Sequence, residues 1–117
     1  MKIRIKGNTI RLRLVKTEVK QLQELGYVEE KIEFSSAKFS YRLEAKEGIQ
    51  ALEAQFSSNK ITVYIPKSEA LIWYDTDQIT YKNNFEKLLL LIEKDFVCLD
   101  HTDEDQSDNY ANPNTKC

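Results

Sequence analysis

The chain is poor in the residues that carry most recognisable chemistry. Its 117 residues include two cysteines, three glycines, two prolines and one histidine. Cys98 and Cys117 are too few for a disulfide scaffold. Three glycines argue against a backbone cradle for phosphates, and neither a nucleophile elbow nor a metalloprotease helix motif is present. The longest apolar run, Leu88 to Ile92, is five residues, far short of a membrane span. Lys or Arg interrupts the N-terminal segment at every second position, so it has no signal-peptide core. The expected location is the cytoplasm. Net charge is only −2, and without a global basic excess nucleic acid is not an expected partner.

What the chain does have is an uneven charge distribution. Residues 1–20 are strongly basic, with Glu18 the only acid, and residues 95–117 are strongly acidic, with Lys116 the only base. At 41% hydrophobic and 31% charged, the composition suits one soluble domain able to bury a core without staples. The domain is expected over residues 1–99. An acidic, aperiodic C-terminal tail is expected over 100–117.

The basic end is also the most patterned. Ile3 and Ile5 alternate with Lys2, Arg4 and Lys6, and Ile10, Leu12 and Leu14 alternate with Arg11 and Arg13. A period of two marks a half-buried strand. Gly7-Asn8 between the runs suits a two-residue turn, which needs positive φ. That turn fixes the register, with Ile5 facing Ile10 and Ile3 facing Leu12 on the apolar side. On the other side Arg4 faces Arg11 and Lys2 faces Arg13, and each such like-charged pair costs up to about 1 kcal/mol. Negative charge is therefore expected over this face, from the protein's own carboxylates, a bound anion or an acidic partner. Lys2, Arg4, Lys6, Arg11 and Arg13 are the candidate anion- or tail-binding residues.

Further along, Thr17 to Leu25 reads as a helix, with Thr17 as N-cap, Glu18 in the first turn and Gly26 as the stop. Strands are expected over Tyr27–Phe34, Lys38–Ala45, Ile49–Phe56 and Lys60–Ile65, where Pro66 ends the ladder. A second short helix follows from Ser68 to Tyr74, with Trp73 as its core anchor. Gln78–Lys82 reads as a strand, Asn83-Asn84 as a turn and Phe85–Lys94 as a central strand buried on both faces, with a helix as the alternative because Leu is a good helix former and short apolar runs are ambiguous. No internal repeat is evident. The expected class is α+β: a single curved, mostly antiparallel β-sheet with two short helices, barrel-like closure being open. In a barrel, the hairpin cations would line a polar interior with Glu29, Glu33, Arg42, Glu44 and Glu53.

The acidic end offers a weaker constellation. Asp103, Asp105 and Ser107 follow the spacing of oxygen ligands in a calcium loop, but Asp108 stands where the turn glycine belongs and Asn114 where the bidentate glutamate belongs. Cys98 and His101 have chelating spacing, yet a closed zinc site needs four ligands. Cys98, His101, Asp103 and Asp105 are carried as candidate ligands for a divalent metal. The same residues sketch the rival reading, a metal-dependent protein or enzyme. No catalytic residue and no resident cofactor is assigned.

The whole chain resembles a family of small, uncharacterised bacterial proteins, a domain of unknown function. The resemblance rests on Met1-Lys-Ile-Arg-Ile-Lys6, Ile10-Arg-Leu-Arg-Leu14, Glu18-Val19 and Asn59-Lys-Ile-Thr-Val-Tyr-Ile-Pro66. It rests also on Glu93-Lys-Asp-Phe-Val-Cys-Leu99 and Glu104-Asp-Gln-Ser-Asp-Asn-Tyr110. It implies no activity, but it implies that the acidic tail belongs to the domain. The leading functional expectation is a non-catalytic binding or accessory module. Its cationic hairpin would be partnered by the tail, by a protein or by an anionic ligand.

Overall fold

The computed structural model describes residues 1–96. The chain runs as four hairpins. β1 (Lys2–Lys6) and β2 (Thr9–Leu14) make the first, and α1 (Lys16–Leu25) leads to the second, β3 (Tyr27–Glu33) with β4 (Lys38–Lys46). β5 (Glu53–Ser57) and β6 (Lys60–Pro66) make the third. α2 (Lys67–Ile72) and a 3₁₀ turn at Trp73–Asp75 lead to the fourth, β7 (Thr80–Phe85) with β8 (Leu88–Lys94).

The alternation in the first fourteen residues produces the expected hairpin. Gly7 has φ +54°, and the register pairs Ile3 with Leu12, Arg4 with Arg11 and Lys2 with Arg13. The expected single sheet is corrected to two, of orders β1-β2-β8-β7 and β3-β4-β6-β5. Neither closes into a barrel. Chain order misleads here because the chain enters α1 after β2 and returns in the other sheet. Each sheet consists of two antiparallel hairpins joined through a parallel central pair, β2 with β8 and β4 with β6.

The inward rows of both sheets meet in one core. Leu12, Leu14, Leu90 and Ile92 face Val28, Leu43, Val63 and Ile65, and each fully buried aliphatic side chain stabilises the fold by about 1.5–3 kcal/mol. The polar interior of a barrel is therefore absent. Glu29, Glu33, Arg42, Glu44 and Glu53 alternate with the core positions and face outward on the second sheet. Glu30, the acid that interrupts the apolar face of β3, accepts from the Met1 ammonium at 2.6 Å, and Glu18 is a second partner of that ammonium.

Local boundaries follow backbone hydrogen bonding more than the expected caps. α1 begins at Lys16 with Val15 in the cap position, because the Glu18 carboxylate reaches back to accept from the Val15 N–H at 2.9 Å. Gly26 ends the helix in the left-handed region, φ +86°, as expected. Pro66 stands at the corresponding cap of α2, in place of the expected Ser68. Asn83 and Asn84 lie within β7, where the Asn83 amide donates to the Leu52 carbonyl at 2.9 Å, and the turn falls at Glu86, φ +57°. β5 begins at Glu53, later than expected, and β8 is central and buried, as expected.

The structure also contains a repeat that the sequence does not announce. Hairpin, helix and hairpin occur twice, and exchanging the two halves maps the strand order of one sheet onto that of the other, a pseudo-two-fold relation of topology. Asn8 and Asn59, Ile10 and Ile61, Lys16 and Lys67, Thr17 and Ser68, and Glu18 and Glu69 recur at one constant spacing. Equivalent backbone bonds recur too. Leu89 donates to the Asn8 carbonyl at 3.0 Å as Ser40 does to Asn59 at 3.1 Å, and Lys94 donates to Ile79 at 3.0 Å as Ala45 does to Gly26 at 2.8 Å. Beyond these few identities only the apolar pattern is kept, and the second helix is shorter.

Both helices lie at one end of the body and plug it with Val19, Leu22, Ala70 and Trp73. Trp73 is 0% exposed, its indole N–H donates to the Gln78 carbonyl at 2.7 Å, and its ring meets Tyr81 edge-on at 5.4 Å. Trp73→Ala removes this plug, and a loss of about 3–5 kcal/mol in urea-unfolding free energy followed by circular dichroism is expected.

Candidate functional site

The candidate site is the outer face of the first sheet. Strand alternation and register place its side chains in rows across four strands. Lys2, Arg13, Glu93 and Thr80 share one row, and Arg4, Arg11, Leu91 and Lys82 the next. Lys6, Thr9, Leu89 and Asn84 make the third. The five hairpin cations singled out from the sequence thus lie together on one face, and Lys82 joins them from β7. No sequence signal marks Lys82, because its place beside Leu91 follows from the β7–β8 pairing.

The face has an acid at its centre. Arg11 Nε lies 3.4 Å and Arg13 Nε 3.1 Å from the same Glu93 carboxylate oxygen. Arg11 and Glu93 side chains are each only 14% exposed, so this contact is shielded from solvent screening. Thr80 donates its hydroxyl to the other Glu93 oxygen at 3.4 Å. At the edge, Lys2 pairs with Asp95 at 3.0 Å, and the Asp95 N–H donates to the Leu14 carbonyl at 2.8 Å. The repulsion built into the hairpin is therefore eased by carboxylates of β8 and the residue that follows it. The hairpin pattern calls for such acids without placing them, because nothing in the sequence announces the parallel pairing of β2 with β8.

Leu91 shows how the long cations pack. It points outward, away from the core, yet it is only 8% exposed. Arg11 and Lys82 flank it in the ladder, and the hydrocarbon stems of such residues cover apolar surface while their charged heads stay wet. Among the described residues, Lys6 and Lys82 have no acid within ion-pair distance.

The equivalent face of the second sheet is a built-in comparison. There Glu29 is bonded by Lys60 at 3.1 Å and Arg42 at 3.4 Å, Glu44 by Arg42 at 2.7 Å, and Glu33 lies 3.6 Å from Lys38. Glu53 faces Lys46 at 3.4 Å, and Arg42 stacks on the Tyr27 ring at 4.0 Å. Acids and bases alternate and pair off on that face, so the fold itself does not demand a cationic sheet.

A family of unknown function, DUF7009, matches residues 1–114. The chain belongs to that family. The match takes in nearly all of the acidic C-terminal segment as well as the two sheets. Comparison with curated proteins and with solved structures returns no match.

The candidate metal ligands Cys98, His101, Asp103 and Asp105, and the tail over 100–117, lie outside the described residues. Among the described residues no cluster of three or more His, Cys, Asp or Glu side chains is disposed to hold a metal ion. No helix among them is long and apolar enough to cross a membrane.

Two predictions follow from the charge geometry. Glu93→Gln leaves Arg11 and Arg13 facing each other without their shared anion. The unfolding free energy should fall by about 1–3 kcal/mol at low salt, with part of the loss recovered in 0.5 M salt. The second concerns Glu29. Burial alone would raise its carboxyl, but hydrogen bonds and charge from Lys60 and Arg42 outweigh burial and hold it below the ordinary carboxylate range. A depressed carboxylate stabilises the fold above its unfolded-state pKa, and that contribution is lost as pH falls through its folded-state pKa. The stability gap between the natural chain and Glu29→Gln should therefore be widest near neutrality and close under acid conditions. Urea titrations across pH measure it.

Proposed function

We propose that this chain is a non-catalytic binding module whose first-sheet outer face takes an anionic partner. The single observation that carries this reading is the contrast between two equivalent faces of one fold. The second sheet pairs its charges off, while the first gathers Lys2, Arg4, Lys6, Arg11, Arg13 and Lys82 around Glu93, with Asp95 at the edge. Holding like charges on adjacent strands costs stability, and a binding role for the face accounts for that cost.

The chemistry of the face favours an acidic polypeptide over a nucleic acid. No aromatic residue stands in its three rows, so nothing serves base stacking. Leu89 and Leu91 instead supply short apolar contacts between the cations. The acidic segment over 100–117 has the composition of such a partner and is tethered at the adjoining end of β8, which raises its effective concentration. In this reading it competes with an external acidic ligand for the same face. A cytoplasmic setting and a bacterial source go with the reading, supported by the sparse cysteines and by the family resemblance.

The test neutralises the segment within the full chain, as Asp103→Asn, Glu104→Gln, Asp105→Asn and Asp108→Asn together. Binding to poly-glutamate, followed by fluorescence anisotropy at low salt, should tighten about tenfold or more once the internal competitor is uncharged. Adding Lys6→Glu and Lys82→Glu should abolish the gain. Equal and negligible binding by the natural and neutralised chains would refute the proposal.

A further inference from the structure

The core that the helices seal at one end is open at the other. All four hairpin turns lie at that second end, and no helix covers it among the described residues. The inward rows run out there on residues that the pseudo-two-fold relates in pairs: Ile5 with Phe56, Ile10 with Ile61, and Leu88 with Phe39. Together they line a cleft of about 520 Å³ between the sheets. Apolar identity is thus kept at both members of each pair, although the same positions nearer the helices are already sufficient to bury a core.

Ile5 is 56% and Phe56 68% exposed. Burying either side chain would yield about 1.5–3 kcal/mol, and a contiguous exposed apolar surface of this kind marks a binding site more often than a folding defect. The cleft is open to solvent along one side and is of the size that takes a small molecule. Its rim is polar at few points. Among the described residues, Asn8, Gln55, Glu86 and Lys87 supply its hydrogen-bonding side chains. The Asn8 amide donates to the Lys87 carbonyl and so ties two turns together beside the opening. Among the described residues, the Lys87 ammonium has no acid within ion-pair distance. Lys6 follows Ile5 at the same end and belongs to the cationic face.

We propose that this cleft binds a single-chain anionic amphiphile, a long-chain fatty acid carboxylate. The hydrocarbon chain lies between the two sheets against Ile5, Phe56 and Phe39, and the carboxylate meets Lys87 at the rim, with Lys6 adding positive potential. Among the described residues Glu86 is the one acid on the rim, and it favours a head with a single negative charge. Lys6 borders both sites, but the apolar lining and Lys87 belong to the cleft alone, so either site can fail while the other stands.

The test uses the full chain and dodecanoate below its aggregation concentration. Calorimetry should give saturable one-to-one binding, with amide shifts in ¹H–¹⁵N spectra concentrated at the four turns and the cleft strands. Phe56→Ser with Ile5→Ser should weaken binding about tenfold or more. Both side chains are largely exposed, and circular dichroism and the unfolding midpoint will report that the fold persists. Lys87→Glu, on an exposed turn, should weaken dodecanoate about fivefold while leaving dodecyl maltoside, which has the same chain and no charge, unaffected. Ala54→Leu, which narrows the cleft from one wall, should weaken both. The proposal is overturned by the absence of saturable binding, or by affinity indifferent to these variants. It is overturned equally by light scattering that shows a dimer which Phe56→Ser with Ile5→Ser dissolves.

Discussion

The parallel pairing of β2 with β8 is the constraint on which most of this structure depends. It joins the first hairpin to the last and so closes the two-sheet body. In the same register, Leu12 and Ile92 turn inward to the core while Arg13 and Glu93 turn outward side by side. One ladder therefore does two jobs with alternate residues, as strand geometry requires. Without β8, Arg11 and Arg13 would lose the carboxylate they share. With it, Glu93 lies between two guanidinium groups and Asp95 reaches Lys2.

The pseudo-two-fold turns the protein into its own control. β4 and β6 repeat the parallel pairing in the second sheet, and the core rows there are equally apolar. The two outer faces have nevertheless diverged in charge. Local pairing among Glu29, Arg42, Lys60 and Glu44 makes the second face electrostatically self-sufficient. Among the described residues the first carries more cations than acids, and Arg11 and Lys82 flank Leu91 in the ladder. Inward positions are held to apolar types by the packing they share, and outward positions are not. Charge is free to diverge only where packing does not fix it, and that divergence carries the functional argument.

The sequence displays strongly whatever is local. The Gly7-Asn8 turn, the register of the first hairpin, the stop at Gly26, the burial of Trp73 and the central strand through Leu90 are all legible, because periodicity and turn chemistry act over a few residues. Strand partnership is not. A hairpin declares itself in its turn, but the β2–β8 and β4–β6 pairs join segments far apart in the chain with no connecting motif, and so two sheets read as one. The repeat hides for a related reason. Its units keep an apolar pattern and a few identities, such as Asn8 with Asn59 and Glu18 with Glu69, while most of the exposed residues that dominate a sequence comparison have changed. At the candidate site, the five cations were legible from alternation alone. Glu93 and Lys82 were not, since they reach the face only through long-range pairing.

If the outer face of the first sheet, and not the protein surface at large, takes the anion as proposed, its arginines respond and the others do not. The chain has four arginines, Arg4, Arg11 and Arg13 on that face and Arg42 on its counterpart, so the side-chain Nε–H signals of an ¹⁵N-labelled sample report on both faces at once. During titration of the charge-neutralised chain with an acidic peptide, the account predicts saturable shifts at Arg4, Arg11 and Arg13 with one common affinity and a stationary Arg42. Uniform small shifts at all four, or movement of Arg42 alone, would contradict it.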